Sequence, residues 1–491
     1  MKMFKSLVLG SAAALLAVGG AQAADLPVKA KAVEYVRVCS LYGAGFWYIP
    51  GTDTCIKIGG YVRVDTTFNG GIYDQPAWNG SLGFGDRTRD NWATRSRLAV
   101  NWDTRTATEY GVVRTYAQVD LNTNTDNGNS AFGAGSEIGV EFGFIQFAGF
   151  TFGRSASAYS TPWHGYPGNN TSFLIGGNDT VTGTNNIQYT AQFGNGVSAT
   201  IGLDDPVNFN RTNLLNLGGG LSTIGNGVNA YAGTQMPDVV GNIRVDQAWG
   251  LFQISGALHE VRATYNIGSL VASGHPDTKY GGSVMAALQI KNLPTGPGDD
   301  IKLDASWSKG DMKNIFGTSA GAQNFAMLGG VPGQFGPNGS LGFGSLSDGV
   351  YLPVAFGGDG SIHLTEGFGF RGAFNHNWDP YWSTSLFGGL MFVRNDGTAK
   401  TEFCAAYGAA VAGQGVTYTC NPDYSASMLG LVTRWTPVKN LTFSAEATWF
   451  HLDQKFAGSA VFSPGSGQPF QNWTYADQDT LSLNVRVQRN F

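Results

Sequence analysis

Charge is scarce in this 491-residue chain: Asp, Glu, Lys and Arg together make up 13% of it, about half the ~25% of an ordinary soluble domain. Long apolar runs are missing as well. Past residue 23, no stretch reaches the ~18 consecutive apolar residues a membrane-crossing helix needs, which excludes a helical membrane protein. There is no basic block and the formal net charge is −5, so nothing points to nucleic acid as a partner. No Pro-rich linker or shift of composition marks a second domain. Aromatics, by contrast, stand at 13%, and glycine is abundant with 71 residues. A disordered chain lacks such aromatics, and the glycines follow no Gly-X-Y repeat. What remains is a large all-β protein, soluble or membrane-embedded.

Cysteine is the other shortage, with four residues: Cys39, Cys55, Cys404 and Cys420. Their setting follows from the N-terminus. Lys2 and Lys5 precede an Ala/Leu/Val-rich run from Ser6 to Val18, and Ala21-Gln22-Ala23 offers a small-residue cleavage site, the pattern of a secretory leader. In an oxidising compartment, two equally spaced pairs near opposite ends of the chain predict the disulfides Cys39–Cys55 and Cys404–Cys420. A zinc site would want closer ligands and nearby histidines, and the six histidines are scattered. No metal or cofactor is expected. The predicted organisation is a leader over 1–23, an N-terminal segment with a disulfide loop over 24–56, and a barrel over 57–491.

The barrel follows from alternation. Near the C-terminus Leu481, Leu483, Val485 and Val487 alternate with Ser482, Asn484, Arg486 and Gln488. Successive side chains of a strand point to opposite faces, so one face is apolar and the other polar. The same period recurs in Lys57 to Phe68, Ile187 to Phe193, Ile301 to Trp307 and Leu441 to Trp449. Sixteen such runs start near 57, 90, 109, 135, 149, 186, 197, 239, 249, 280, 299, 364, 381, 424, 440 and 480. Short links, the first placed at Thr104 to Thr108, alternate with long Gly/Asn/Asp/Ser-rich segments, the layout of a 16-stranded antiparallel transmembrane barrel with short periplasmic turns and long extracellular loops. Sixteen strands leave about 29 residues for each strand plus connection, against the ~9–11 a spanning strand takes. A soluble sandwich also alternates, but its outer face carries many lysines and glutamates. Here the polar face is mostly Ser, Thr, Asn and Gln.

A barrel of this size is too wide for side chains to fill, so it encloses water and conducts solutes. Parity puts Arg63, Arg95, Arg97, Arg114, Arg244, Arg371, Arg434 and Arg486 in the lumen, with Asp65, Asp120, Glu137 and Glu141. Arg95, Arg97 and Arg114 fall on adjacent predicted strands, with Glu137 and Glu141 on the next. Arginines facing carboxylates set up a transverse field that orients solutes and sets ion preference. The segment 157–185, with Trp163, His164, Tyr166, Asn169, Asn170 and Asp179, is the candidate constriction loop. Arg154 at its base has outward parity unless a bulge intervenes.

Val33-Glu-Tyr-Val-Arg-Val-Cys39, Tyr42-Gly-Ala-Gly-Phe-Trp-Tyr-Ile-Pro-Gly-Thr-Asp-Thr-Cys55 and Ile58-Gly-Gly-Tyr-Val-Arg63 resemble the start of the general porins of alpha-proteobacteria. Arg95-Ser-Arg-Leu, Gly111-Val-Val-Arg114, Phe152-Gly-Arg-Ser155 and the terminal Phe491 resemble that family too. The resemblance implies a homotrimer in outer-membrane lipid, a third extracellular loop narrowing each pore, and passive diffusion of small hydrophilic solutes. It also implies that Phe491 is the signal read by the assembly machinery. The segment 157–185 carries fewer carboxylates than related constriction loops.

Two motifs fail their own context. Gly317-Thr-Ser-Ala-Gly321 matches G-x-S-x-G, with Ser319 as nucleophile, but lies in a Gly-rich loop instead of a strand-to-helix turn. Gly367-Phe-Gly-Phe-Arg-Gly372 matches G-x-G-x-x-G inside an alternating strand with no helix after it. An outer-membrane hydrolase and a secreted carbohydrate-binding sandwich are the rival readings.

Overall fold

The computed structural model describes residues 37–491 except 74, 79–82, 88, 126–134, 164, 170–173, 179–182, 208–209, 317–323, 332, 413–416 and 466, and no side chain at 135–136. The predicted leader, His164, Asn170, Asp179 and Ser319 therefore lie outside the described residues. The chain divides between Cys55 and Ile56 into two compact units. In the first, the Cys39–Cys55 disulfide is buried with Phe46, and Tyr42 and Tyr48 pack against it.

The second unit is a closed sheet of sixteen antiparallel strands. They are β1 (Thr54–Phe68), β2 (Trp92–Thr108), β3 (Gly111–Asn124), β4 (Gly135–Phe147), β5 (Phe150–Ser155), β6 (Thr184–Gly194), β7 (Val197–Asp204) and β8 (Asp238–Gln247). After them come β9 (Gly250–Val261), β10 (Lys279–Lys291), β11 (Asp300–Lys309), β12 (Glu366–Asn377), β13 (Trp382–Arg394), β14 (Tyr424–Val438), β15 (Leu441–Gln454) and β16 (Gln478–Asn490). Each pairs with its neighbour in sequence, and β16 returns to β1 with Arg486 opposite Asp65. At the seam the Phe491 N–H donates to the Gly60 carbonyl oxygen at 3.0 Å. A Cβ on Gly60 would lie 2.1 Å from the Ala99 carbonyl oxygen, so no larger residue lets β1 approach β2 there.

Burial is inverted relative to a soluble protein. Leu481, Leu483 and Val485 are 48%, 44% and 41% exposed, while Ser482, Asn484 and Arg486 between them are 3%, 1% and 7% exposed. A sandwich would bury the first set, so the apolar face is the lipid face and the polar one lines the lumen. Exposed Phe193, Trp249, Tyr381, Trp382 and Trp435 cluster at the short-turn end, where an interfacial girdle belongs.

The short turns are tight. Ala148, Asn195 and Asn440 take left-handed φ values of 50°, 50° and 67°. The first turn differs from the sequence expectation: β2 continues through Thr108 and turns at Glu109-Tyr110, because Thr104 pairs with Thr115 and Arg105 with Arg114. Polar residues on a lumen face extend a strand as well as apolar ones do.

The long connections, expected as loops, carry structure of their own. We number them L1 to L8. In L4 (205–237) the strands Asn213–Leu221 and Gly227–Asn229 join Ser347–Tyr351 and His363–Leu364 of L6 (310–365) in a four-stranded sheet. Five further strands from L6, L7 (395–423) and L8 (455–477) form another. L7 also holds α1 (Gly397–Ala410), whose N-cap Asp396 accepts the Ala399 N–H at 2.8 Å. The Cys404–Cys420 disulfide ties this helix to the strand that follows. Phe84, Leu217, Phe343, Phe403, Tyr407 and Phe456 share one apolar core among the loops.

Candidate functional site

The lumen wall is ordered by arginine–carboxylate pairs between neighbouring strands. Asp65 on β1 accepts from Arg95 on β2 (Nη2 2.7 Å, Nε 3.1 Å) and from Arg486 Nε on β16 at 2.5 Å. All three side chains are buried. Bringing one carboxylate between two guanidiniums offsets the desolvation of each and locks the seam where the barrel closes. On the next strands, Arg97 pairs with Asp120 at 2.7 Å and donates to Asn122 Oδ1 at 2.7 Å. Arg63 stands over the Tyr61 ring at 4.5 Å and donates to Gln488 at 2.8 Å; among the described residues no carboxylate pairs with it.

L3 (156–183) lies against this lumen face. Ala158 and Ser160 offer their carbonyls to Asn242 on β8 and Gln253 on β9, at 2.6 and 2.7 Å. The Tyr166 hydroxyl donates to Asp304 on β11. Arg371 on β12 also reaches Asp304, at 3.1 Å, and donates to the Leu174 and Asn178 carbonyls at 3.5 and 2.5 Å. Burial, together with the Asp304 charge, holds the Tyr166 phenol well above its ordinary pKa. Further round, the Asn169 N–H donates to Glu446 on β15, and its side chain donates to Asn484 on β16 at 2.9 Å. Arg486 completes the set by donating to the Asn169 carbonyl at 3.3 Å. L3 is thus fastened from β8 round to β16. At Gly176 (φ +102°) a Cβ would sit 2.5 and 2.6 Å from the Leu390 and Phe370 carbonyl oxygens, so loop backbone touches wall backbone.

The opposite arc carries the arginines and carboxylates singled out in the sequence. Arg95 and Arg97 stand together near the L3 level, since Arg95 shares Asp65 with the same Arg486 that holds Asn169. Glu137 on β4 faces Asn122 on β3 and accepts from the Tyr73 hydroxyl of L1 (69–91) at 2.8 Å, while the Arg95 guanidinium lies 5.1 Å from the Tyr73 ring centre. Burial and the Glu137 carboxylate push the Tyr73 phenol up to about 12. Glu141 is the extra residue of a bulge, where partners jump from Phe142–Gln118 to Val140–Val119, and its charge acts on Arg97. Arg154, one strand on, donates to the Glu141 carbonyl at 3.3 Å.

Arg114 does not join this group. It faces Arg105 by the first short turn and pairs with Asp103 at 3.0 Å, beside a second pair from Arg105 at 3.0 Å. Along β2 that is ~26 Å from Arg97 at ~3.3 Å per residue. Parity alone reports which face a residue occupies, not how far along the barrel it lies. The sequence reading also passed over Asp304, Glu446 and Tyr73. The first two sit on the polar parity of runs already recognised as strands, a signal that would have found them; nothing local marks Tyr73.

A family model described as the porin subfamily matches residues 25–484. Porin Omp2b of Brucella suis is 34% identical over 304 residues, covering 56% of this chain and 76% of that protein. Porin Omp2b of Brucella neotomae is 37% identical over 254 residues, covering 50% and 63%. Among solved structures, the outer membrane channel DcaP of Acinetobacter baumannii is similar in fold, with a TM-score of 0.55 at 14% identity over 90% of this chain and 99% of that one. A closed sixteen-stranded wall, apolar outside and polar within, is the physical content of that match: the chain belongs to the porin subfamily and is a non-enzymatic outer-membrane channel.

Proposed function

We propose that solutes are screened at the L3 level, in the aperture between that loop and the arc carrying Arg63, Arg95, Arg97, Asp120, Glu137 and Glu141. The observation that carries this is the fastening of L3 from β8 to β16, which narrows the lumen on one side. The remaining border sets Arg63, Arg95, Arg97 and Arg486 of β1, β2 and β16 against Asp65 of β1 and Asp120, Glu137 and Glu141 of β3 and β4, so the charges named there cancel. Such a border orients small hydrophilic solutes across the pore while selecting only weakly by ion sign. The working unit is a homotrimer in the outer membrane, as the family resemblance implies, and Phe491 serves as the assembly signal. Planar-bilayer recording of the purified protein tests the reading. The expected record is closure in three equal steps, with near-ideal mixed-salt reversal potentials. Single-step closure would remove the trimer. A wild-type reversal potential close to the limit for a single ion would remove the balanced aperture.

A further inference from the structure

Beyond the lumen, one group of side chains on the loops has a use the channel does not supply. Asp359 and His363 of L6 and Glu402 of α1 in L7 place one ligand atom each within 4.8 Å of the other two. Nothing in this cluster lines the described aperture.

The imidazole is held in a defined way. His363 Nδ1 lies 3.1 Å from Asp396 Oδ2, and Nε2 lies 3.1 Å from Asp359 Oδ2. Asp396 is fixed because it caps α1 through the Ala399 N–H. When Nε2 takes a metal, Asp396 behind Nδ1 accepts the proton that stays on that nitrogen, the support metal-binding histidines take from a neighbouring carboxylate. With the proton on Nδ1, Nε2 and the Asp359 oxygen face each other as two lone-pair donors. Two donors each ~2.0–2.2 Å from one first-row ion, at ~100° to one another, stand about that far apart.

Glu402 supplies the third donor from a buried position, 6% exposed. Its oxygens each take one backbone N–H, from Asp359 at 2.8 Å and Leu352 at 3.2 Å. These bonds aim the carboxylate at the cluster and leave a lone pair on each oxygen. Among the described residues, no Lys or Arg forms an ion pair with Asp359 or Glu402. Three carboxylates therefore surround one imidazole, and the cluster stays net negative even with the ring protonated.

We propose that Asp359, His363 and Glu402 form a binding site for a divalent transition-metal ion of the zinc class, joining L6 to α1 of L7. One nitrogen and two carboxylate donors suit Zn2+ and its first-row neighbours better than Ca2+ or Mg2+, which prefer all-oxygen shells. Water completes the coordination, as the exposure of Asp359 permits. Asp396 is the positioning residue.

The test uses the untagged full-length protein in detergent, stripped of metal with a chelator and titrated calorimetrically with ZnCl2 at neutral pH. The expected result is one Zn2+ per chain, with His363→Asn and Asp359→Asn each weakening binding at least ~10-fold, and Asp396→Asn by ~10–100-fold. Calcium at equal concentration leaves the titration unchanged. The Asp359 side chain is exposed and contacts His363, so its variant folds whatever the outcome; heat-modified gel mobility verifies this for every variant. The proposal is overturned by the absence of saturable Zn2+ uptake in wild type, by equal uptake in His363→Asn and Asp359→Asn, or by displacement of zinc by equimolar calcium. The first two outcomes would leave His363 as an imidazolium bridging two carboxylates.

Discussion

Arg97→Gln and Arg114→Gln remove the same charge from two heights of one channel, and the structure predicts different consequences. Arg97 pairs with Asp120 near the L3 level, so its loss turns a neutral pair into a lone carboxylate at the proposed aperture. Arg114 shares Asp103 with Arg105, which stays in place as a partner by the first short turn, ~26 Å along β2 from Arg97. An ion passing ~8 Å from a unit charge in water feels ~0.5 kcal/mol, and salt at 0.1 M reduces this to ~0.2 kcal/mol. That is about 1.5-fold in the local concentration of each ion, raised for the cation and lowered for the anion, or ~2-fold in the permeability ratio. For an ion ~15 Å away, as taken for Arg114, the same sum gives under ~1.3-fold. Reversal potentials across a tenfold KCl gradient measure both. Arg97→Gln is expected to move the potential towards the cation limit by the larger amount, and raising the salt to 1 M should erase most of the difference. A shift in Arg114→Gln equal to or greater than that in Arg97→Gln would show that the field is set elsewhere than beside L3.

Three other perturbations test separate parts of the structure. Gly176→Ala pushes a methyl group into the Leu390 and Phe370 carbonyls, so L3 must leave the wall; single-channel conductance should fall, with noisier open levels, while heat-modified mobility stays that of a folded barrel. Leu483→Arg places a charge on the lipid face at 44% exposure, costing ~2–4 kcal/mol if it lies near the midplane; the folded fraction in vesicles should drop, whereas Asn484→Ser on the lumen face should leave it nearly unchanged. Asp311 of L6 accepts from Ser283 Oγ and Asn314 Nδ2, each at 2.8 Å, and its carboxyl is pushed up to about 7 by burial, then by Asp238 and Asp348, with His259 opposing. Docked L6 keeps a proton there that the free loop loses near ~4, so docking is firmest below that and weakens as pH rises to about 7. Hydrogen exchange at Lys313–Phe316, corrected for intrinsic rate, should quicken over that range, and Asp311→Asn should abolish the trend.

The wall was largely legible because its rule is local. Alternation in Leu481 to Gln488 needs no knowledge of the partner strand, and all sixteen strand starts read from such runs have a counterpart in the closed sheet. The loops were not legible in this way. Asn169 meets Glu446, 277 residues away, and Trp78 of L1 packs 4.9 Å from Phe450 of β15 between ring centres. Neither contact leaves a period in the sequence. The helix α1 was readable in part: Asp396 followed by an alanine-rich run is a capped helix start. A Gly/Asn/Ser-rich setting hid it.

A barrel wall must satisfy its backbone internally and present alternating faces, which leaves little freedom for solute choice in the strands alone. The freedom lies in which lumen residues are left to meet water once the loops have docked. Here L3 engages Arg371, Asp304, Glu446 and Asn484, each of which would otherwise line an open pore. Docking removes one set of polar side chains from the open lumen, and in the proposed reading it narrows the lumen and leaves the Arg63–Arg97 arc to face the solute. On this argument, two porins with the same strand charges but different L3 anchors would differ in selectivity, because the anchors decide which charges a passing ion meets.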